Sequence, residues 1–266
     1  LPLVTQLTDL GVVRALLLAD RLWAIYALGD LTPGLVEHCE WFAGEEGALA
    51  MVYRAFELPV LFTLGGPAAV QEIVNHLDLP TMFLLVRPDI LPILEPRYTL
   101  RHLTAMWRMI LKPHTGLLDT DGRAAPLDFR DLEALQRLYA TDTREDDQRF
   151  FTASMLENGV YYGVWENADL VSAAGTHLVA PAEGVAAIGN VYTRPDRRGQ
   201  GLARRVVSAV VGELQRRSLP TIGLNVARNN PAAIRVYERL GFEILCPFYE
   251  AEASMKPRQE KMIDEG

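Results

Sequence analysis

Apolar residues at Leu10, Val13, Leu17 and Ile25 recur on a roughly helical spacing and stop near Gly29, which predicts a helix at the start of the chain. The period then changes. Ala48 to Arg54 and Val60 to Leu64 are β-prone runs, Gly65-Gly66-Pro67 is a breaker, Ala68 to Leu77 predicts a short helix, and Met82 to Val86 reads as a buried strand. Between Lys112 and Pro126 the composition turns to Pro, Gly, Thr and Asp, and a domain junction is expected there.

Beyond the junction the order repeats more clearly. Ala125 to Leu127 predicts a short strand, Asp131 to Tyr139 a helix striped by Leu132, Leu135 and Leu138, and Asp146 to Leu156 a second helix. Val160 to Trp165, Leu170 to Leu178 and Val185 to Thr193 are three strand runs whose short spacers suit an antiparallel meander. Leu202, Val206, Val210 and Leu214 stripe an amphipathic helix that runs to Arg217, and Ile222 to Val226 is the next strand. Asn230 is placed to cap a helix with Pro231 in its first turn, Gly241 stops it, and Phe242 to Tyr249 predicts a final strand. The expected fold is α/β with a mixed α+β sheet. Its expected parts are residues 1–116, residues 117–253 and a charged tail at 254–266.

Composition narrows the class. At 266 residues the chain is long enough for two modest domains, and with 49% apolar and 23% charged residues it has the balance of a globular protein. The greasiest early stretch, Ala15 to Leu28, is broken by Asp20 and Arg21, short of the roughly eighteen apolar residues a bilayer span needs, so no membrane partner is expected. Leu1 to Leu10 carry no basic n-region and no small-residue cleavage site, which points to a cytoplasmic location, although the absent initiator Met leaves the true start open. Cys39 and Cys246 lie far apart with no CxxC or His/Cys spacing, so neither zinc nor a disulfide framework is expected and both read as reduced core residues. The net charge of −8 divides evenly, since the chain to Thr115 holds 8 basic and 12 acidic residues. Nucleic acid is therefore excluded as a partner for want of a basic face. A local basic cluster at Arg194 to Arg205 still admits an anionic small molecule.

That cluster lies in Val191-Tyr192-Thr193-Arg194-Pro195-Asp196-Arg197-Arg198-Gly199-Gln200-Gly201-Leu202-Ala203, a strand that passes through a glycine-containing turn into a helix. Glycines let a ligand approach the backbone, and the first helical turn offers unsatisfied N–H groups and the positive end of the helix dipole, so the stretch reads as a phosphate cradle. It is neither Walker A, which needs a following Lys-Ser/Thr, nor a GxGxxG fingerprint. A plain strand-to-helix loop is the alternative at this point. A second block, Asn229-Asn230-Pro231-Ala232-Ala233-Ile234-Arg235-Val236-Tyr237-Glu238-Arg239-Leu240-Gly241-Phe242, follows at a fitting distance. Together the two blocks resemble the Gcn5-related N-acetyltransferase (GNAT) superfamily. Its Arg/Gln-x-x-Gly-x-Gly/Ala pattern is met by Arg198, Gly201 and Ala203, and its later elements by Asn230, Ala233, Tyr237-Glu238 and Gly241-Phe242.

The resemblance implies acyl-coenzyme A, most simply acetyl-CoA, as co-substrate, an amine as acceptor, and no metal. The backbone of Val191, Tyr192 and Thr193 would pair with the pantetheine arm, and the amides of Arg198, Gly199, Gln200, Gly201, Leu202 and Ala203 would hold the diphosphate. Asn230 reads both as a helix cap and as a pantetheine or thioester contact. Tyr237 matches the tyrosine that in relatives protonates the departing thiolate, against a plain core aromatic beside Ile234 and Leu240. Free phenol and thiol pKa values differ by about 1.5 units, so that transfer costs roughly 2 kcal/mol. Many relatives place a glutamate on the strand before the cradle, yet Val185 to Thr193 holds no carboxylate. His177, Glu183, or a water ordered by Asn190 are the open candidates for the base.

Residues Val60 to Pro92 can be laid beside Ala187 to Phe242 as strand, glycine turn, helix and strand, with Leu64-Gly65-Gly66-Pro67 in place of the arginine-rich cradle. The first part then resembles a degenerate acetyltransferase half of a tandem family member, and an unrelated α/β cap completing the acceptor pocket is the alternative. Two halves packed as an intramolecular pseudo-dimer would favour a monomer. An acyl-CoA-dependent N-acyltransferase is the leading expectation. The alternative is an acyl-CoA binding or sensing module without turnover.

Overall fold

The computed structural model describes residues 3–113, 115–116, 122–141 and 151–257. Along the chain run β1 (Thr5–Leu7), α1 (Leu10–Leu18), α2 (Ile25–Gly29), β2 (Cys39–Ala43), β3 (Leu49–Tyr53), β4 (Val60–Leu64), α3 (Pro67–His76), β5 (Thr81–Val86), α4 (Leu91–Leu94) and β6 (Tyr98–Leu111). They are followed by β7 (Ala125–Pro126), α5 (Leu132–Tyr139), α6 (Ala153–Asn158), β8 (Tyr162–Glu166), β9 (Asp169–Ala180), β10 (Val185–Thr193), α7 (Leu202–Arg216), β11 (Thr221–Ala227), α8 (Pro231–Arg239) and β12 (Phe242–Met255). The expected α/β order with a mixed sheet is present.

Contacts divide the chain into two units that a single cut at residues 116/117 does not describe. The first is built from Leu1–Asp9, His38–Thr104 and Phe248–Gly266, the second from Leu10–Glu37 and Ala105–Pro247. The first unit's strands pair antiparallel from β1 through β2 and β3 to β4, β4 pairs parallel with β5, and β5 pairs antiparallel with Tyr249–Ser254 of β12. Val70, Ile73 and Val74 of α3 join the core formed by Val52, Leu61, Leu84 and Ala251.

In the second unit β7, β8, β9 and β10 form an antiparallel series, β10 pairs parallel with β11, and β11 pairs antiparallel with Met106–Ile110 of β6. The four-residue apolar stripe of α7, Leu202, Val206, Val210 and Leu214, is buried against Ile188, Ile222 and Leu224, as its amphipathic pattern demands. Asp128 begins the turn into α5, its carboxylate accepting from the Arg130 N–H at 2.9 Å.

Several expectations change. The opening helix is two helices, α1 and α2, and both belong to the second unit. The break falls at the polar pair Asp20-Arg21, where Arg21 Nη2 donates to the carbonyls of Glu183 and Gly184 at 2.6 and 3.1 Å. Of the helix expected at Asp146 to Leu156, residues 146–150 lie outside the described residues and the helix present is α6. The final strand is longer than expected, reaching Met255, and residues 258–266 of the expected tail lie outside the described residues. Cys39 and Cys246 are in no disulfide and are half-buried rather than core residues. Among the described residues no helix is long and apolar enough to cross a membrane, and no group of three or more His, Cys, Asp or Glu is arranged to hold a metal.

Candidate active site

The site is made by two strands that part. β10 and β11 pair from Val185↔Thr221 to Ile188↔Leu224. Beyond that point β10 follows β9, as far as Thr193↔Ser172, while β11 follows β6, as far as Ala227↔Met106. A register shift between Gly189 and Tyr192 marks the divergence, with Asn190 in the left-handed region at φ 52°. An extra residue of this kind bends its strand away from its neighbour, and asparagine tolerates the left-handed conformation better than most residues. Among the described residues, Val191–Thr193 on the β11 side and Asn225–Ala227 on the β10 side have no strand partner. Two open edges facing one gap can take an extended amide-bearing ligand as an added strand.

At the mouth of the gap the chain turns through Pro195–Arg197 into α7. Gly199 and Gly201 have φ values of 79° and 76°, and a Cβ added at either would meet nothing within 4 Å. Their lack of side chains therefore leaves open space above the backbone rather than relieving a crowded core. Gly201 is the N-cap residue of α7 and provides no side-chain acceptor for the first turn, so the N–H groups there remain available to an anion. Leu202 is buried and Ala203 half-buried, while Gln200 is exposed. The side chain of Arg198 folds back, its Nε donating to the Thr193 carbonyl at 3.1 Å and its guanidinium lying 5.7 Å from the Tyr192 ring centre. The basic cluster is less uniform than its sequence implies. Arg194 pairs with Asp196, and Arg197 with Glu166 and Asp196, at 2.7 to 2.9 Å, which ties the turn together.

His177 and Asn190, two candidates for the missing base, come together behind the bulge. The His177 ring lies on Gly189, where a Cβ would collide with it. Tyr26 Oη is 3.3 Å from its Nδ1. Burial pushes its pKa down to about 4, so the ring is neutral at pH 7 and a weak proton acceptor. Asn190 Nδ2 donates to Tyr161 Oη at 2.8 Å, and the Asn190 carbonyl accepts from Tyr139 Oη at 2.8 Å. Burial raises both phenols, which keeps them protonated donors.

Glu183 is held elsewhere. It lies before the start of β10, buried, and its carboxylate takes Arg14 Nε at 3.0 and 3.1 Å. Six residues of β10 and its approach separate it from Asn190, about 20 Å along an extended strand. The geometry ties Glu183 to α1 and not to the gap. Asn230 caps α8, its Oδ1 accepting the Ala233 N–H at 3.1 Å, and Ala233 packs against the core under α7. Tyr237 is mostly buried in that core, with its ring 6.1 Å from Phe242.

Several residues near the gap escaped the sequence reading. Tyr139 ends an expected helix and Tyr161 lies in an expected strand run, and nothing local marks either as a hydrogen-bond partner of Asn190. Arg108, on β6, is fully buried, with its guanidinium 5.0 and 4.7 Å from the Trp23 and Tyr26 ring centres and Nη1 donating to the Trp23 carbonyl at 3.0 Å. It is the cross-strand neighbour of Asn225, whose buried Oδ1 has no hydrogen-bond partner among the described residues. No local signal marks either residue, because what brings them together is a pairing between β6 and β11 far apart in sequence.

Residues 128–242 match the Acetyltransferase (GNAT) family. The chain is 30% identical over 95 residues to a ribosomal protein bS18-alanine N-acetyltransferase of Escherichia coli K12, a match taking in 36% of this chain and 62% of that protein. It is 43% identical over 58 residues to a mycothiol acetyltransferase of Streptomyces coelicolor, covering 21% of this chain and 19% of that one. The chain thus spans less than two thirds of the length of these relatives. A tandem GNAT protein from the clavulanic acid biosynthesis pathway shares the fold over 96% of this chain and 100% of its own, with a TM-score of 0.56 at 14% identity.

Proposed function

On the match of residues 128–242 to the GNAT family, we propose that the second unit is an N-acetyltransferase moving acetyl from acetyl-CoA to an amine of a small molecule or a protein N-terminus by direct attack. One observation carries this reading. The open edge of Val191–Thr193 leads straight to the bare, open turn at Gly199 and Gly201 and to the uncapped start of α7. An extended amide arm on the edge and a diphosphate on the turn use the two features together.

The roles follow from chemistry. Backbone groups of Val191, Tyr192 and Thr193 pair with the pantetheine amides, and the N–H groups from Arg198 to Ala203 hold the diphosphate. Tyr237 supplies a proton to the departing thiolate. His177 is too weak a base at neutral pH for the amine proton and Glu183 is committed to Arg14, so water in the gap is the assigned acceptor, which suits an amine that arrives neutral.

The first unit carries the same β4-α3-β5 order around one parallel pair, which supports reading it as a degenerate GNAT-like half. Its turn differs in one physical respect. A Cβ on Gly65 would meet the Ala48 backbone at 2.7 Å, so that glycine is filled from below, and no arginine follows it. One acyl-CoA site per monomeric chain is the consequence. Calorimetric titration with acetyl-CoA tests it: one site per chain is expected, and two equivalent sites, or none, would overturn it.

A further inference from the structure

Asn190 stands where the reactive end of the co-substrate arrives. With the diphosphate on the turn at Gly199 and Gly201, an arm laid along β10 runs from Thr193 back to Val191, and its thioester end reaches the bulge. Two hydrogen bonds fix the residue there. Tyr139 Oη donates to its main-chain carbonyl at 2.8 Å, and its side-chain Nδ2 donates to Tyr161 Oη at 2.8 Å. The far side of Tyr161 assigns the direction of that amide. Tyr161 Oη donates to the Thr176 carbonyl at 3.1 Å, and a phenol has one proton, so toward Asn190 its oxygen can only accept and the amide must present its nitrogen. Oδ1 is left as the side chain's remaining polar atom, an acceptor that carries no proton. Nδ2 also lies 3.7 Å from Met155 Sδ on α6, and Tyr161 is buried with Leu135 of α5 and Leu156 of α6, whereas Val191, the next residue, packs against the α7 core. The half-buried side chain of Asn190 thus stands on the α5–α6 side of β10.

We propose that Asn190 receives the acceptor: Oδ1 takes an N–H of the neutral amine entering from the α5–α6 side and turns the nitrogen lone pair toward the thioester carbon. The inference rests on the function proposed above. Water as proton acceptor does not orient the nucleophile, whereas an acceptor oxygen on a fixed side chain does. As the C–N bond forms, the nitrogen gains positive charge and its hydrogen bond to Oδ1 strengthens, so the contact is worth more in the transition state than before it. The C–S bond then breaks, Tyr237 gives its proton to the sulfur, the amine proton leaves to water, and solvent reprotonates Tyr237. Asparagine meets both demands of the position, a left-handed backbone at φ 52° and an acceptor oxygen at the thioester.

The test is steady-state kinetics of the full chain with acetyl-CoA and whichever amine is turned over fastest in a set of primary amines that includes an alanine-initiated peptide, alongside acetyl-CoA affinity by calorimetry. Asn190→Gly removes the acceptor oxygen and keeps the backbone, since glycine adopts a positive φ freely and the Tyr139 bond is to the main chain. Its kcat/KM for the amine should fall by about 10- to 100-fold, the loss expected for one hydrogen bond to a group gaining charge, while acetyl-CoA affinity stays within about threefold of wild type. Tyr161→Phe is the second variant. It leaves Asn190 intact but frees its amide to turn, and kcat/KM for the amine should fall by at least about fivefold, again with acetyl-CoA affinity held. An amine kcat/KM within about twofold of wild type in folded Asn190→Gly, or in Tyr161→Phe if the glycine variant does not fold, overturns the inference. A parallel loss of acetyl-CoA affinity overturns it as well, because Asn190 would then hold the strand edge and not the amine. If the wild type acetylates no amine, the proposed function fails first and the acceptor contact falls with it.

Discussion

Replacing Gly201 by alanine separates the cradle's role in binding from its role in folding. The added methyl meets nothing within 4 Å, so packing is untouched. What remains is the strain of an L-residue at φ 76°, about 1–2 kcal/mol. For a chain of this size that lowers the melting temperature by roughly 2–8 °C. The same methyl stands where a diphosphate must approach the first amides of α7. Losing one or two charge-assisted hydrogen bonds, each worth about 1.5–3 kcal/mol, should weaken acetyl-CoA binding by at least about 10-fold. Calorimetry and thermal melting on the same preparation read both effects. Gly66→Ala is the control, since that glycine in the first unit is equally open, has an ordinary φ of −72°, and lies in a turn assigned no ligand. A folded Gly201→Ala protein that binds acetyl-CoA within about threefold of wild type would falsify the assignment of the cradle.

Three other outcomes follow from the same geometry. Tyr237→Phe should lower turnover by roughly 10- to 1,000-fold with little change in acetyl-CoA affinity or melting temperature, whereas unchanged turnover with chemistry rate-limiting would leave it a core aromatic. Glu183→Gln should lower the melting temperature by roughly 2–6 °C through loss of the Arg14 pairing, with turnover per folded molecule intact; a tenfold or larger drop in turnover would restore Glu183 as the base. Burial raises Asp30 to about 7, so its favourable contribution is full below its ordinary pKa and is lost as pH rises through 7. Asp30→Asn should therefore stabilise the protein at pH 8 by about 1–2 kcal/mol, allowing for partial exposure, and by little at pH 4. A gain independent of pH would contradict that.

The parts of the site written in local chemistry were legible from the chain alone. β10 falls at Val185–Thr193 as its run predicts, α7 begins at Leu202 after Gly201, and Asn230-Pro231 opens α8, because strand, turn and cap each depend on neighbours in sequence. The rest depends on distant pairing. β6 carries Arg101, His102 and Arg108 along a strand with no clean alternation and with His102 at φ 52°, so no period-two signal announces it, yet it supplies the partner of β11. The opening apolar residues did announce helices, but their place with the second unit depends on Arg14 and Arg21 reaching Glu183 and Gly184. The bulge at Asn190 was hidden in the same way, since it is held by Tyr139 on its carbonyl and Tyr161 on its side chain, both far from it in sequence.

Catalysis itself is tested most directly by incubating the full chain with acetyl-CoA and a panel of primary amines, including an alanine-initiated peptide, and following free thiol together with the acylated amine by mass spectrometry. The account predicts amine-dependent thiol release, matched one-to-one by acetylated product and lowered in Gly201→Ala when acetyl-CoA is below saturation. Saturable acetyl-CoA binding with thiol release no faster than uncatalysed hydrolysis, on every amine, would contradict it and leave a binding module in place of an enzyme.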